Sequence, residues 1–273
     1  MTPFPGDRIV VWFSNDAASA VAWVKTVERY GHMCEVVAVN NPVVEEDADN
    51  QRFARDVAKW AGGEIVFWKN PKFLHGSAVK VWDRKKAMSF PRGAPCTDLL
   101  KKAARQDYER HHHFEWHVFG FTADEQKRHD RFVLSERENV LPVLIEAGIT
   151  KDDCYEIVKA AGISLPLVYR LGYPNANCIG CVKATSPTYW NHVRKVHPEI
   201  FRQRAEQSRR LGVRLVRYKG VRIFLDELPE DAFGRPMKTM QIECGIFCEE
   251  PSLPLPSRDK VASAVHLFWL TAP

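Results

Sequence analysis

Between Arg8 and Trp68 the chain alternates three short apolar runs with two stretches of helical spacing, and this rhythm narrows the fold more than any other feature. Arg8 to Phe13 is rich in β-branched and aromatic residues and reads as a strand, whereas Ala17 to Tyr30 spaces its apolar side chains along one helical face. Cys34 to Val39 repeats the strand pattern, Asn50 to Trp60 the helical one, and after Gly62-Gly63 the run Glu64 to Trp68 is a third strand. Parallel neighbours need a crossover long enough to hold a helix, so the β-α-β-α-β order predicts an α/β fold: a parallel sheet with helices on both faces.

Further along, Thr97 to Tyr108 is expected to be helical, Trp116 to Phe121 a buried strand, and Ala123 to Ser135 another helix. After about Pro142 the character changes. Lys151 to Ala161 reads as a helix closed by Gly162, Pro166 to Cys181 is rich in turn residues, and Thr188 to Leu211 is a basic helical stretch broken near Pro198. Arg214 to Tyr218 and Val221 to Leu225 flank Lys219-Gly220 as a hairpin. The organisation expected is a core over residues 1–141, a cysteine-bearing C-terminal appendage over 142–248 that closes over it, and a proline-rich tail over 249–273.

Composition sets the outer limits. A 45% hydrophobic share supplies a sizeable core, and a net charge of +5 suits an anionic ligand without demanding nucleic acid. No apolar run is long enough for a membrane span and the first residues lack signal-peptide character, so the expectation is a cytoplasmic chain with no membrane partner. Seven cysteines without a secretory signal favour metal ligation or redox chemistry over a disulfide framework.

The segment Phe13 to Val21 lies where a first strand meets a helix, the edge at which open α/β sheets bind ligands and at which unpaired helical N–H groups face an anion. Ser14, Asn15, Asp16 and Ser19 are the candidate phosphate-binding residues. A second reading of the same residues is a capped strand-to-helix turn with Asp16 near the helix start. The spacing resembles the Ser-Gly-Gly-x-x-Ser loop of the adenine-nucleotide hydrolase (PP-loop) superfamily: Ser14 and Ser19 match, and Asn15 and Asp16 stand in the glycine places.

Three more segments carry a resemblance to the phosphoadenosine-phosphosulfate (PAPS) reductase family within that superfamily. Cys96-Thr97-Asp98-Leu99-Leu100-Lys101 resembles a Cys-x-x-x-Leu-Lys segment that borders the family's nucleotide site, and His117 to Glu125 resembles its strand ending in a glycine and a polar turn, here Gly120 and Thr122. Asn177 to Lys183 and Glu243 to Cys248 complete the order. The resemblance implies an adenine-nucleotide hydrolase-like sheet, a bound ATP or adenylate with Mg²⁺, Cys96 and Lys101 at the reacting end, and adenylylation of, or sulfur transfer to, a small-molecule or nucleic-acid acceptor. Two rivals remain: a thiol-dependent sulfonucleotide reductase with Cys244 as nucleophile, in which Phe247 replaces the family's histidine, and a non-catalytic nucleotide or nucleic-acid binding protein on a decayed enzyme core.

The cysteine pairs Cys178-x-x-Cys181 and Cys244-x-x-x-Cys248 supply four thiolates, enough for zinc or a [4Fe-4S] cluster, and Gly180 and Gly245 free the backbone to wrap around such a centre. The competing set is Cys96, Cys178 and Cys181 with Cys154 or Cys248, leaving Cys244 as a nucleophile. Lys101 and Lys102 follow Cys96 closely enough for one of them to reach a phosphate.

Overall fold

The structure, a computed structural model, describes residues 2–90 and 93–237, so Cys244, Cys248 and the proline-rich tail lie outside the described residues. β1 (Arg8–Trp12) leads to α1 (Ala17–Tyr30), β2 (Glu35–Asn40), α2 (Asn50–Ala61), β3 (Ile65–Phe67) and α3 (Ala78–Lys85). A π-helical turn over Thr97–Lys102 runs into α4 (Ala103–His111), followed by β4 (Trp116–Val118), a 3-10 turn at Ala123–Glu125, α5 (Gln126–Ser135), β5 (Val140–Leu141) and α6 (Val143–Glu146). The rest is α7 (Lys151–Ala160), α8 (Leu167–Arg170), α9 (Pro187–Val196), α10 (Pro198–Arg210) and the strands β6 (Val216–Tyr218) and β7 (Val221–Ile223).

The sheet order is β3-β2-β1-β4-β5, with every pairing parallel. Val10 of the central strand stands opposite Val37 on one side and His117 on the other. The chain moves outward from β1 through β2 to β3 and then returns to β4, which places a topological switch point between β1 and β4.

Alternation along β1 separates two cores. Ile9, Val11 and Phe13 pack with α1, α2 and α7 through Trp23, Phe53 and Val158, while Val10 and Trp12 pack on the other face with Tyr108, Phe119 and Phe132. Helices therefore cover both faces, as the β-α-β rhythm requires, and a small C-terminal region carries Cys178 and Cys181. A third core holds that region against residues of the first half: Val43, Phe73, Trp82 and Leu100 pack with Tyr189, Trp190, Leu215 and Leu225.

Local chemistry explains the boundaries. Thr150 and Asp153 form a capping box that starts α7, and Pro198 ends α9 and opens α10 with the prolyl ring at the first helical position. The expected strand Trp116 to Phe121 stops at Val118, because Phe121 N–H turns back onto Phe119 O at 2.8 Å. The helix expected from Thr97 begins with the π turn and extends to His111. Helix α3, which the sequence reading leaves out, starts at Ser77, whose hydroxyl accepts from Lys80 N–H and donates to Glu45 Oε1 at 2.6 Å.

Candidate nucleotide cleft

A cleft opens at the carboxyl ends of β1, β2 and β4, with an empty space of about 1160 Å³ counted out to open solvent. It is walled by Ser14 and Asp16 before α1, by Asn41 and Glu46 after β2, by Lys101 on the π turn, and by Gly120 and Thr122 after β4. Asn175, Ala176 and Asn177 close the side nearest the cysteine pair.

Ser14, Asp16 and Ser19 bond to one another in the turn into α1, while the buried Asn15 Oδ1 has no hydrogen-bond partner among the described residues. Asp16 is the N-cap of α1 and its Oδ1 accepts from Ser19 N–H at 2.7 Å, while Ser14 Oγ donates to Asp16 Oδ2 at 2.6 Å. Ser19 is buried and its hydroxyl donates to Asp16 O at 3.1 Å while accepting from Ser14 N–H at 3.1 Å. Asn15 has φ +62, the left-handed region that Asn enters more readily than other side-chain-bearing residues, and it is buried with Nδ2 toward Glu46 Oε2. One consequence is electrostatic: the negative charge nearest the start of α1 belongs to the protein itself. Tyr169 adds its hydroxyl, which faces the backbone N–H groups of Ala17 and Ala176 and whose pKa burial raises well above the phenolic range, with Asp16 adding to the rise.

Basic side chains outnumber acidic ones on the lining of the cleft, and several are ion-paired. Five basic side chains, Lys101, Lys102, Arg105, Arg128 and Lys151, line the cleft against three acidic ones, Asp16, Glu46 and Glu125. Lys101 Nζ lies 2.7 Å from Glu46 Oε1 and donates to Asn41 O at 2.6 Å, so it ties the π turn to the loop after β2. Lys102 pairs with Glu136 at 2.5 Å, Arg128 with Glu125 at 2.6 Å, and Lys151 Nζ donates to Asn175 Oδ1 at 2.5 Å.

Arg105 differs from these. It is 3% exposed, surrounded by the rings of Trp12, Phe119 and Phe132 at 5.6 to 6.0 Å from its guanidinium carbon. Its nearest carboxylate oxygens, Glu109 Oε1 and Glu136 Oε2, stand at 3.6 and 3.7 Å, and Nε and Nη2 have no hydrogen-bond partner among the described residues. Burial, with the like charge of Arg137 added, pushes its pKa down to about 10, so it remains a cation at neutral pH. Lys101 and Lys102 are the cations expected from the sequence, and the structure adds Arg105, Arg128 and Lys151; Arg105 is legible as a candidate only from the helical register, one turn beyond Lys101.

The remaining candidates lie elsewhere. Cys96 precedes the π turn and packs, half-buried, against the C-terminal core rather than lining the cleft. Cys178 and Cys181 are buried in that core and line a second, much smaller pocket with Tyr173, Asn175, Asn177 and Tyr189. Gly180 between them has φ +70, and a Cβ there would meet Ile200 Cγ2 at 3.0 Å. Cys181 N–H donates to the Tyr189 hydroxyl at 2.8 Å, and the buried Arg204 guanidinium feels both thiols. Cys154 sits in the α1–α7 core, its thiol pushed up to about 12 by burial. Among the described residues no group of three His, Cys, Asp or Glu side chains is placed to hold a metal ion.

Sheet order, helices on both faces and a cationic cleft at the switch point are together consistent with a Rossmann-like α/β protein of the nucleotide-binding type. No family model matches the chain, and no curated protein does. Among the described residues no helix is long and apolar enough to cross a membrane.

Proposed function

We propose that the protein is an adenine-nucleotide-dependent enzyme of the PP-loop type, similar to the PAPS-reductase family, that adenylylates an acceptor or transfers sulfur to it. The observation that carries this reading is the cleft: it lies at the switch point of a parallel sheet, and basic side chains outnumber acidic ones on its wall. Adenylyl transfer needs an acceptor atom to attack the α-phosphorus of ATP while pyrophosphate departs, and charge then grows on phosphate oxygens. Lys102, Arg105 and Arg128 are the side chains this reading assigns to that charge, with Lys101 holding Glu46 and the loop after β2 in place. Asp16 and Glu46 already serve as helix cap and ion-pair partner, so Mg²⁺ enters this reading with the nucleotide's phosphates rather than on a preformed carboxylate site.

Cys178 and Cys181 fit two positions of a tetrahedral zinc or iron–sulfur site: they are buried, separated by two residues, and near a cation that offsets thiolate charge. Cys244 and Cys248 are the further ligands this reading assigns, and both lie outside the described residues. When bound, such a centre supplies a cross-link between the C-terminal segment and the Asn175–Asn177 wall of the cleft.

One observation favours a binding protein without catalysis: the Asp16 carboxylate caps the helix end that would otherwise receive a phosphate. Calorimetry with ATP, AMP and adenosine phosphosulfate, followed by assays for pyrophosphate and sulfite release, separates the readings. The enzyme reading expects ATP to bind below millimolar concentration and pyrophosphate to appear once an acceptor is supplied. Nucleotide binding with both assays silent across acceptors leaves the binding protein, sulfite release identifies a reductase, and no adenylate binding at all rejects the cleft assignment.

A further inference from the structure

Between Glu206 and Asp226 the chain carries six basic residues and no acidic one. Two of the six are neutralised: Arg209 pairs with Asp226 and Glu227 at 2.7 and 3.1 Å, and Arg210 with Asp83 at 2.8 Å. The other four, Arg214, Arg217, Lys219 and Arg222, lie on or beside the β6–β7 ribbon and are exposed. Arg214 covers the Phe224 ring at 5.0 Å, Lys219 the Tyr218 ring at 5.1 Å, and Arg222 Nη1 donates to Leu215 O at 2.8 Å. Among the described residues none of the four meets a carboxylate within ion-pair distance.

The register makes this arrangement costly in isolation. Arg217 and Arg222 are directly opposite across the antiparallel pair, and like charges so placed repel. Burial of the Arg222 stem lowers its pKa, and Arg217 lowers it further, as expected of two cations held close together. At the tip, Lys219 and Gly220 take consecutive positive φ values of 47 and 82, the pair of left-handed residues that a two-residue hairpin turn requires. The first of those positions ordinarily goes to Gly, Asn or Asp, yet here it holds a cation.

The base of the ribbon is fixed while its tip stands clear. Leu215, Val216 and Leu225 are buried, and Arg217 N–H donates to Thr185 O at 2.8 Å. Val221 is 63% exposed and pairs across the ribbon with the half-buried Tyr218, so an apolar patch lies among the cations. A two-stranded ribbon fits a nucleic-acid groove, and interleaved cations and an aromatic ring suit phosphates alternating with sugars and bases.

We infer that the β6–β7 ribbon is a docking surface for the phosphodiester backbone of a nucleic acid, with Arg214, Arg217, Lys219 and Arg222 meeting its phosphates. This surface is independent of the nucleotide cleft, and its failure leaves that reading untouched.

The test is fluorescence anisotropy on the full chain with labelled single-stranded DNA, duplex DNA and single-stranded RNA of one sequence, at salt from about 50 to 200 mM, the range over which phosphate contacts weaken steeply. Four phosphate contacts predict that log K falls with log salt at a slope of about −3 to −4. Neutralising Arg217→Gln with Lys219→Gln should reduce that slope by about 2 and weaken binding at least tenfold at the lowest salt. Arg209→Gln with Arg210→Gln, which removes the ion-paired cations, should leave the slope unchanged. The Arg217→Gln and Lys219→Gln protein should keep its thermal midpoint, because one member of the repelling pair is gone, so loss of binding there is not loss of fold. A preference among the three nucleic acids names the source. Absence of binding to all three at the lowest salt, or an equal loss in the Arg209 and Arg210 variant, overturns the proposal.

Discussion

A β-carbon on Gly120 would stand 2.8 Å from the amide nitrogen of Ser19 and 3.0 Å from the carbonyl carbon of Ala18. Both neighbours are backbone at the start of α1, so nothing flexible can yield. The close approach is what lets the chain leaving β4 and the turn leaving β1 form one wall of the cleft. Gly120→Ala is therefore expected to cost about 1–3 kcal/mol in denaturant unfolding. An unchanged midpoint would show that α1 can slide away from β4, contrary to this packing.

Asp16 separates capping from electrostatics. Asp16→Asn keeps a capping oxygen for Ser19 N–H and removes a charge from the cleft, so stability should hold within about 0.5 kcal/mol, whereas Asp16→Ala should lose about 1 kcal/mol. Both variants should bind ATP more tightly than the wild type, because a fixed anion no longer opposes the phosphates. Weaker ATP binding in Asp16→Asn would mean that the carboxylate itself serves the nucleotide.

Arg105 should matter to ligand rather than to fold. Its burial among aromatic rings already costs solvation, and its carboxylate neighbours stand beyond hydrogen-bond distance, so Arg105→Met should change stability by less than removal of a tightly paired buried ion would. ATP affinity should fall at least tenfold, about 1.4 kcal/mol, the scale of one charge-assisted contact. Equal ATP affinity in wild type and Arg105→Met would assign the residue to the buried ionic cluster alone.

For the cysteines the expected outcome is a metal-dependent melt. Cys178→Ser or Cys181→Ser should abolish zinc or iron in elemental analysis and lower the thermal midpoint, since ligation and folding are coupled. Cys96→Ser should retain the metal, because Cys96 precedes the π turn and the favoured ligand set does not use it. Full metal content in both Cys178→Ser and Cys181→Ser rejects the ligand set.

The parallel sheet was legible because its signal is local. The β-branched apolar run within Arg8–Trp12 and the helical spacing of Ala17–Tyr30 survive in short windows, and the hairpin announced itself through Lys219-Gly220. The turn at Asn15 was half legible: Asn is a residue that tolerates the left-handed region it occupies, while the cap made by Asp16 is the alternative the same letters permitted. The π turn at Thr97–Lys102 was not legible, because one extra residue in a helical turn barely alters the apolar spacing. Arg105 stayed hidden for a different reason. What makes it unusual is burial by Trp12, Phe119 and Phe132, which come from three separate segments and meet only in the fold.

His117 sets an acid limit on stability. It is buried in β4, where Trp12 Nε1–H donates to its Nδ1 at 3.2 Å and Arg137 Nη1 approaches the same nitrogen at 2.8 Å. Burial, then the charges of Arg137, Arg105 and His113, push its pKa down to about 2; Glu109 Oε1 lies 3.8 Å from Nδ1. The folded protein thus keeps the ring neutral where the unfolded chain protonates it, at the ordinary histidine value of about 6.5. Below that pH the unfolded state binds one more proton than the native state, so stability falls as pH drops and is unaffected above it. From well above pH 6.5 down to pH 5 the loss from this residue is about 2 kcal/mol, its slope approaching about 1.4 kcal/mol per pH unit. Denaturant unfolding of the wild type and of His117→Gln across that range checks it: the variant, less stable at pH 7 through its altered packing, should show a shallower decline. Parallel curves would place the His117 proton affinity near that of a solvated imidazole and contradict the buried, doubly approached ring.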